Sequence, residues 1–279
     1  KFFTGNQIGD RLIRELDTNI GLRVESSGLG YLVSGRGELH LSVLIETLRR
    51  EGFELEIGRP QVVTKEVDGK TQEPVEELII EVGQDFVGVV QNELGVRRAV
   101  VKDQFIMPSG DTKLVYELPT RVLIGLRNLL LFKTKGTVIM NSLLVGYQPM
   151  GTPLRQLRNG ALIAHETGTT TPFALQNAQE RGDTFVDQGV KVYAGQIVGL
   201  NSRSDDLDVN VCKEKHLTNM RSSSSDGVVK LTPSISMTIE ECLDFIESDE
   251  LVEVTPKTLR LRKRELEASK RKRRQKQTA

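Results

Sequence analysis

The chain has 279 residues, with 38 Lys and Arg against 38 Asp and Glu, so its formal net charge is zero. That length suits two or three domains, and 38% hydrophobic with 27% charged residues is ordinary globular material. No apolar run approaches the roughly 18 residues a membrane-spanning helix needs. Two cysteines, Cys212 and Cys242, are too few for a disulfide framework and fit a reducing compartment. With no Trp and 5% aromatics, stacking platforms for single-stranded nucleic acid are not expected. The start, KFFTGNQIGD, has no initiator Met and no signal pattern, and reads as a chain cut from something longer.

The neutrality is uneven. Residues 257–279 hold eleven Lys and Arg and two Glu, whereas residues 1–256 hold 27 Lys and Arg against 36 Asp and Glu. A basic tail on an acidic body points to a polyanionic partner for the tail.

Taken in order, residues 7–17 put Ile8, Leu12, Ile13 and Leu16 on one helical face. Short strand-like runs follow at 23–26 and 31–34. A second helix, GELHLSVLIETLRREG, carries the stripe Leu41, Leu44, Ile45 and Leu48 and ends at Gly52. FELEI (53–57) alternates as a strand. Residues 68–74 read as a linker or long turn. Then come a strand at 75–82, a helix at 85–95, strands at 99–107 and 112–119, a helix at 121–136 and a strand at 137–147. That order, β-α-β-β-α-β, is the ferredoxin-like pattern, and the first module reads as the same fold without its first strand.

From Gln148 the texture changes. Strands are expected at 159–166, 190–195, 196–201, 228–233 and 251–256, with helices at 171–181 and 238–250. Thr238 followed by Glu241 is a capping box. A polar stretch of roughly 25 residues from Asn201 is longer than ordinary connections, and such loops tend to be functional. The fold class is therefore α+β, with four segments. Residues 1–67 form a truncated ferredoxin-like domain and 68–148 a second one. Residues 149–256 form a mostly-β domain with two helices and a long loop, and 257–279 a basic tail.

Catalytic patterns are missing from the sequence. There is no G-x-x-x-x-G-K-[ST] phosphate loop. SGRGELHL (34–41) contains glycines but lacks the Lys-Ser/Thr pair. His40, His165 and His216 are far apart, and two cysteines thirty residues apart do not make a zinc site. His40 reads as a structural helix residue and Cys242 as core. No catalytic, cofactor-binding or metal-ligating residue is expected, and the chain itself is not expected to be an enzyme.

SGRGELHLSVLIETLRREGFELEIGRPQV resembles the third domain of translational GTPases related to elongation factor G, and EPVEELIIEV the entry to their fifth domain. NSRSDDLDVNVCKEKHLTNMRS, followed by DELVEVTPKTLRLRKREL, resembles the C-terminal domain of the TypA/BipA family, as do ETGTTTPFALQNAQERG and VYAGQIVG. The resemblance implies a ribosome-binding GTPase whose G domain and β-barrel domain lie outside this chain, together with GTP and magnesium. It also implies two ferredoxin-like folds and a C-terminal domain whose loop meets ribosomal RNA and the acceptor end of A-site tRNA. A role in stress adaptation and large-subunit assembly, a cytoplasmic location (or an organelle stroma) and a monomeric, non-membrane protein follow from the same resemblance.

Carried over by position, the family loop matches residues 201–222. Arg203, Lys213, Lys215, His216, Asn219 and Arg221 are its candidate RNA contacts. Lys and Arg suit phosphate oxygens, and His and Asn can reach sugar or base edges. The loop also holds Asp205, Asp206, Asp208 and Glu214, so four cations meet four acids and it is not a basic patch by charge alone. These acids are expected to shape the loop by bonding backbone N–H groups. Secondary candidates are Arg97, Arg98, Arg121, Arg127, Lys133 and Lys135 in the second module, and Arg262, Lys263 and Arg264 in the tail. In the first module Arg36, Arg49 and Arg50 could face RNA, and Arg49 and Arg50 also sit where a helix dipole favours cations, which gives them a structural reading as well. TRVLIGLRN carries Val122 where the family has Gly, and that valine is expected to block close RNA approach. The rival class is a protein-interaction or assembly scaffold of ferredoxin-like adaptors with no direct RNA role; a small-molecule sensor is the other alternative.

Overall fold

The computed structural model describes residues 4–28, 30–152, 158–214 and 230–278. It divides into two compact units, one drawn from residues 1–59 with 156–279, the other from residues 60–155.

The first unit opens with α1 (Gly5–Leu16), capped by a Thr4–Gln7 capping box, then the hairpin β1 (Arg23–Ser27) and β2 (Gly30–Ser34), and α2 (Glu38–Glu51). Leu12, Leu22, Leu44, Leu48 and Phe53 close a small core between them. His40 is structural, as expected: its ring nitrogens meet the Arg36 N–H at 3.1 Å and Asn19 Oδ1 at 3.0 Å. Strand β3 (Leu55–Gly58) does not pair with the hairpin. It pairs with a strand close to two hundred residues further on.

The second unit starts with the hairpin β4 (Lys65–Val67) and β5 (Lys70–Val82), joined by the two-residue turn Asp68–Gly69. The stretch 68–74, expected as a linker or long turn, is a turn only at 68–69, and from Lys70 it is the start of a long strand. A two-residue Asp-Gly loop between paired strands is a strong hairpin signal, and the expected boundary at 67/68 falls inside it. After a short 3-10 turn come α3 (Val87–Val96), β6 (Val100–Ile106), β7 (Thr112–Pro119), α4 (Thr120–Leu123), α5 (Leu126–Lys133) and β8 (Ile139–Pro149). The antiparallel order is β8-β5-β7-β6, the ferredoxin-like arrangement expected for this module. Leu78, Ile80, Leu114, Tyr116 and Leu118 lie on one sheet face and pack against Val90, Leu94, Val122, Leu126 and Leu130 from the helices.

The helix expected over 121–136 is broken. Ile124 has extended geometry (ψ 123°) and Gly125 sits at φ 70°, so the chain restarts as α5. Only glycine adopts that backbone region at little cost. The break turns Val122 inward, where it is 1% exposed. Its expected steric effect on a partner is thus corrected: the valine fills the core and does not face the surface.

The first unit resumes with β9 (Ala161–Ala164), β10 (Gly168–Thr169), α6 (Pro172–Gln179), β11 (Gly182–Thr184), β12 (Lys191–Val192), β13 (Gln196–Asn201) and β14 (Leu207–Val209). It ends with α7 (Ile239–Phe245), β15 (Glu250–Val254), β16 (Leu259–Lys263) and α8 (Ala268–Thr278). Residues 230–233, expected in a strand, have no regular structure. The main sheet runs β14-β9-β13-β16-β15-β3, with β11 also on β13. Two consequences differ from expectation. The first module lends β3 to this sheet and Ile45 of α2 to its core, beside Ile239, Cys242 and Leu243. And the basic tail does not begin at 257, because β16 lies inside the sheet between β13 and β15. In LRLRK the alternation of Leu259 and Leu261 with charged residues is a strand pattern that the charge count hid.

Two predictions follow from the second unit. Val122→Gly removes a buried side chain and adds a helical glycine, so unfolding stability is expected to fall by about 2–3 kcal/mol, read from urea midpoints at unchanged m. Glu73, 2% exposed, is pushed up by burial. That push is outweighed by its hydrogen bonds from Arg121, the Gly151 N–H (3.0 Å) and Gln148 (3.2 Å), which hold its carboxyl below the ordinary 4.5. Its native value is depressed, so the stabilisation exists above pH 4.5 and is lost as pH falls through that native value. Glu73→Gln is expected to lower stability at neutral pH and to converge on the parent in acid.

Candidate nucleic-acid interface

The segment entering the candidate loop leaves the sheet at Asn201. The Asn201 N–H donates to Gly160 O (2.7 Å), and the Gly160 N–H donates to Arg203 O (2.8 Å). Asn201 Nδ2 donates to Asp205 O at 2.6 Å, and Asn159 Nδ2 to Ser202 O at 3.3 Å. A Cβ on Gly160 would overlap the Asp205 backbone, so this turn requires glycine. Strand β14 then pairs in parallel with β9. Beyond it Thr171 takes over: its N–H donates to Val211 O (3.1 Å) and its hydroxyl to Lys213 O (2.6 Å). Thr171 also caps α6 through the Ala174 N–H. The stem 202–213 is thus fixed at both ends by backbone hydrogen bonds.

Two of its acids, Asp206 and Asp208, turn inward. Asp206 accepts the Ala161 N–H (2.7 Å) on one oxygen and meets Lys263 Nζ (2.5 Å) on the other. Lys263 is 3% exposed and also reaches Asp249 (3.0 Å) and Glu250 (2.8 Å), so its three N–H donors are all engaged. Burial acts against the charged ammonium, yet Glu250 and Asp206 hold its pKa above the ordinary lysine value. Glu250, fully buried, accepts Arg158 on both oxygens at 2.5 Å and the Glu247 N–H at 2.8 Å. Arg158 also donates to Phe245 O (2.7 Å) and lies 4.1 Å above the Phe245 ring. Asp208 pairs with Arg271 of α8, with Lys272 Nζ at 3.8 Å.

Of the loop candidates, Arg203 and Lys213 are exposed at the two ends of this stem. Lys215, His216, Asn219 and Arg221 lie outside the described residues. The expectation that the acids shape the loop through backbone N–H groups fits Asp206. Its main partner, however, is a lysine from the far end of the chain, which no local pattern displays.

The tail candidates need correction. Lys263 is internal and cannot reach a partner. Arg262 is largely buried against Glu56 at 2.7 Å, while Arg264 stays exposed. In the second unit Arg97 is also internal: it is 5% exposed and donates to Val122 O (2.5 Å) and Ile124 O (3.1 Å). Arg98 is exposed and donates to Thr152 Oγ1 (3.3 Å), and Arg121 is held by Glu73 and Thr152 O. These three arginines line one small cavity of about 180 Å³. Arg127 and Lys135 are exposed, and Lys133, also exposed, pairs with Glu93. Arg49 and Arg50 both pair with Glu46, and Arg49 further donates to Pro256 O (3.0 Å), which bears out their structural reading. Among the described residues no group of three or more His, Cys, Asp or Glu could hold a metal ion, and no helix is long and apolar enough to cross a membrane.

Removing Lys263 leaves Asp206 without its counter-ion and the buried Glu250 with Arg158 alone. Lys263→Met is expected to destabilise the first unit by about 3–5 kcal/mol, read by urea unfolding, and to raise hydrogen exchange at residues 203–209.

Residues 159–268 match the model of the TypA/BipA C-terminal domain, and residues 70–157 that of the elongation factor G C-terminus. Three similar proteins all bear the name large ribosomal subunit assembly factor BipA. That of Synechocystis sp. is 46% identical over 265 residues, covering 94% of this chain and 44% of its own length. Those of Haemophilus influenzae (44% identical) and Escherichia coli K12 (46%) align over 276 residues, covering 98% of this chain and 45% and 46% of their own lengths. The chain thus spans about half the length of the curated relatives it matches. The loop-bearing domain is the one that matches the TypA/BipA model, and the chain belongs to the TypA/BipA family.

Proposed function

We propose that this chain is the ribosome-docking portion of a translational GTPase of the TypA/BipA type. Its loop 201–222 meets large-subunit RNA and the acceptor region of A-site tRNA, in the service of large-subunit assembly and stress adaptation. The relatives' name, large ribosomal subunit assembly factor, supports the ribosomal partner. GTP and magnesium would be handled by a G domain; the sequence here has no phosphate-loop motif. The docking form is a cytoplasmic monomer.

One observation carries the reading of the loop. By sequence its four cations, Arg203, Lys213, Lys215 and Arg221, are cancelled by four acids. The fold removes two of those acids from the balance, since Asp206 faces Lys263 and Asp208 faces Arg271. By sequence four cations are then set against two acids, Asp205 and Glu214, both of them exposed. A net positive segment on a fixed stem suits phosphate contact, with little ordering entropy left to lose in the stem on binding.

The test is co-sedimentation of the chain with purified large ribosomal subunits. The variant changes Lys213, Lys215, His216 and Arg221 together to Ala. Four phosphate contacts would weaken binding on the order of 100-fold between 50 and 200 mM salt. The parent is expected to pellet at low salt and the variant to stay in the supernatant. Equal pelleting of both removes the loop as the anchor. Salt-insensitive binding would favour a protein-interaction scaffold.

A further inference from the structure

Helix α8 has the sequence ASKRKRRQKQT, with six cations and no acid. Like charges three and four residues apart weaken a helix, and a free helix of this length is marginal in water. Two devices hold it here. At its start Glu267 pairs with Lys270 at 2.9 Å. One turn in, Arg271 folds back: Nη1 donates to Leu266 O (2.6 Å) and Glu265 O (3.2 Å), and Nη2 pairs with Asp208 of β14. One cation is therefore an anchor at 11% exposure, while Lys270, Lys272 and Arg273 remain exposed.

We propose that α8 is an RNA-phosphate-binding helix. The Arg271–Asp208 ion pair clamps it against β14 in the stem 202–213, beside the strand that leads to Lys213. The proposal deepens the docking reading and rests on it. The composition of α8 selects the occupant. A protein partner is usually held by buried aromatic or aliphatic anchors, and a membrane surface needs an apolar helix face. The only apolar residue of α8 is Ala268. What remains is repeated positive charge at helical spacing, which a phosphodiester backbone matches by charge without any apolar anchor. Asp208 determines the location, because it belongs to the strand that leads directly into Lys213.

The experiment measures fluorescence anisotropy of a short fluorescein-labelled RNA hairpin with the full chain across a salt series. Its variant combines Lys270→Gln, Lys272→Gln and Arg273→Gln. This variant gives up the Lys270–Glu267 pair but keeps the Arg271–Asp208 anchor, and hydrogen exchange in α8 checks that the helix persists. The slope of log affinity against log salt is expected to fall by about 2–3, at roughly 0.7–0.9 per lost phosphate contact. A charge-keeping variant (Lys270→Arg, Lys272→Arg, Arg273→Lys) should keep the parent slope. Arg271→Gln removes the anchor and not a phosphate contact. It should raise hydrogen exchange in α8 and weaken RNA binding severalfold, while the slope changes by less than one contact.

An unchanged slope and affinity in the triple Gln variant would overturn the proposal. If the quadruple loop variant loses binding in that same series, the docking reading survives alone. Competition by poly-glutamate as effective as that by unlabelled RNA would also overturn it, by showing a helix indifferent to phosphate. Absence of RNA binding by the parent itself would overturn both readings.

Discussion

The fully buried carboxylate of Glu250 is the constraint on which the first unit depends. Taking an ion out of water costs several kcal/mol, and only complete pairing offsets that. Here Arg158 and Lys263 approach the two oxygens, and the Glu247 N–H takes a further lone pair. Lys263 passes the constraint to Asp206 and Asp249. Arg158 passes it to α7, through the Phe245 carbonyl and ring. Glu250 and Lys263 face each other in the β15–β16 register, so the sheet itself sets the geometry. The stem of the loop is held by the same charges that hold the sheet.

This arrangement ties the stability of the first unit to the docking role proposed for the loop. Asp206 is at once a member of the buried cluster and the residue that fixes the turn after Arg203. Asp208 does the same on the other side of β14, with Arg271 as its partner. Two of the acids that made the loop look neutral in sequence, Asp206 and Asp208, are thus structural, while Arg203 and Lys213 stay exposed. A partner meets a segment whose stem is already shaped.

Much of the fold was legible because local chemistry agreed with it. The capping box at Thr238, the stripe of α2 with Gly52 behind it and the β-α-β-β-α-β order each appear where expected. The failures at β3, at LRLRK and at the buried cations share a cause: each depended on a partner distant in the chain. Strand β3 reads as the last strand of its own module, yet Leu55 and Ile57 sit opposite Val254 and Val252. The run LRLRK counts as tail by charge, yet it is an interior strand whose lysine has three acidic partners. Val122 looks like a surface substitution until the break at Gly125 turns it inward. For Arg97 and Lys263, burial decided against the surface role that residue type suggested. The turn at Asp68–Gly69 was read too long, because the polar composition of residues 70–74 hid the start of β5.

The central claim is that the stem 202–213 presents the loop to RNA. The most direct test places a photo-crosslinker on a cysteine at position 213, by Lys213→Cys in a background with Cys212→Ser, and irradiates the chain bound to large ribosomal subunits. The account predicts a crosslink to ribosomal RNA, lost when Asp206→Asn loosens the stem. Crosslinks confined to ribosomal proteins, or an RNA crosslink indifferent to Asp206, would contradict it.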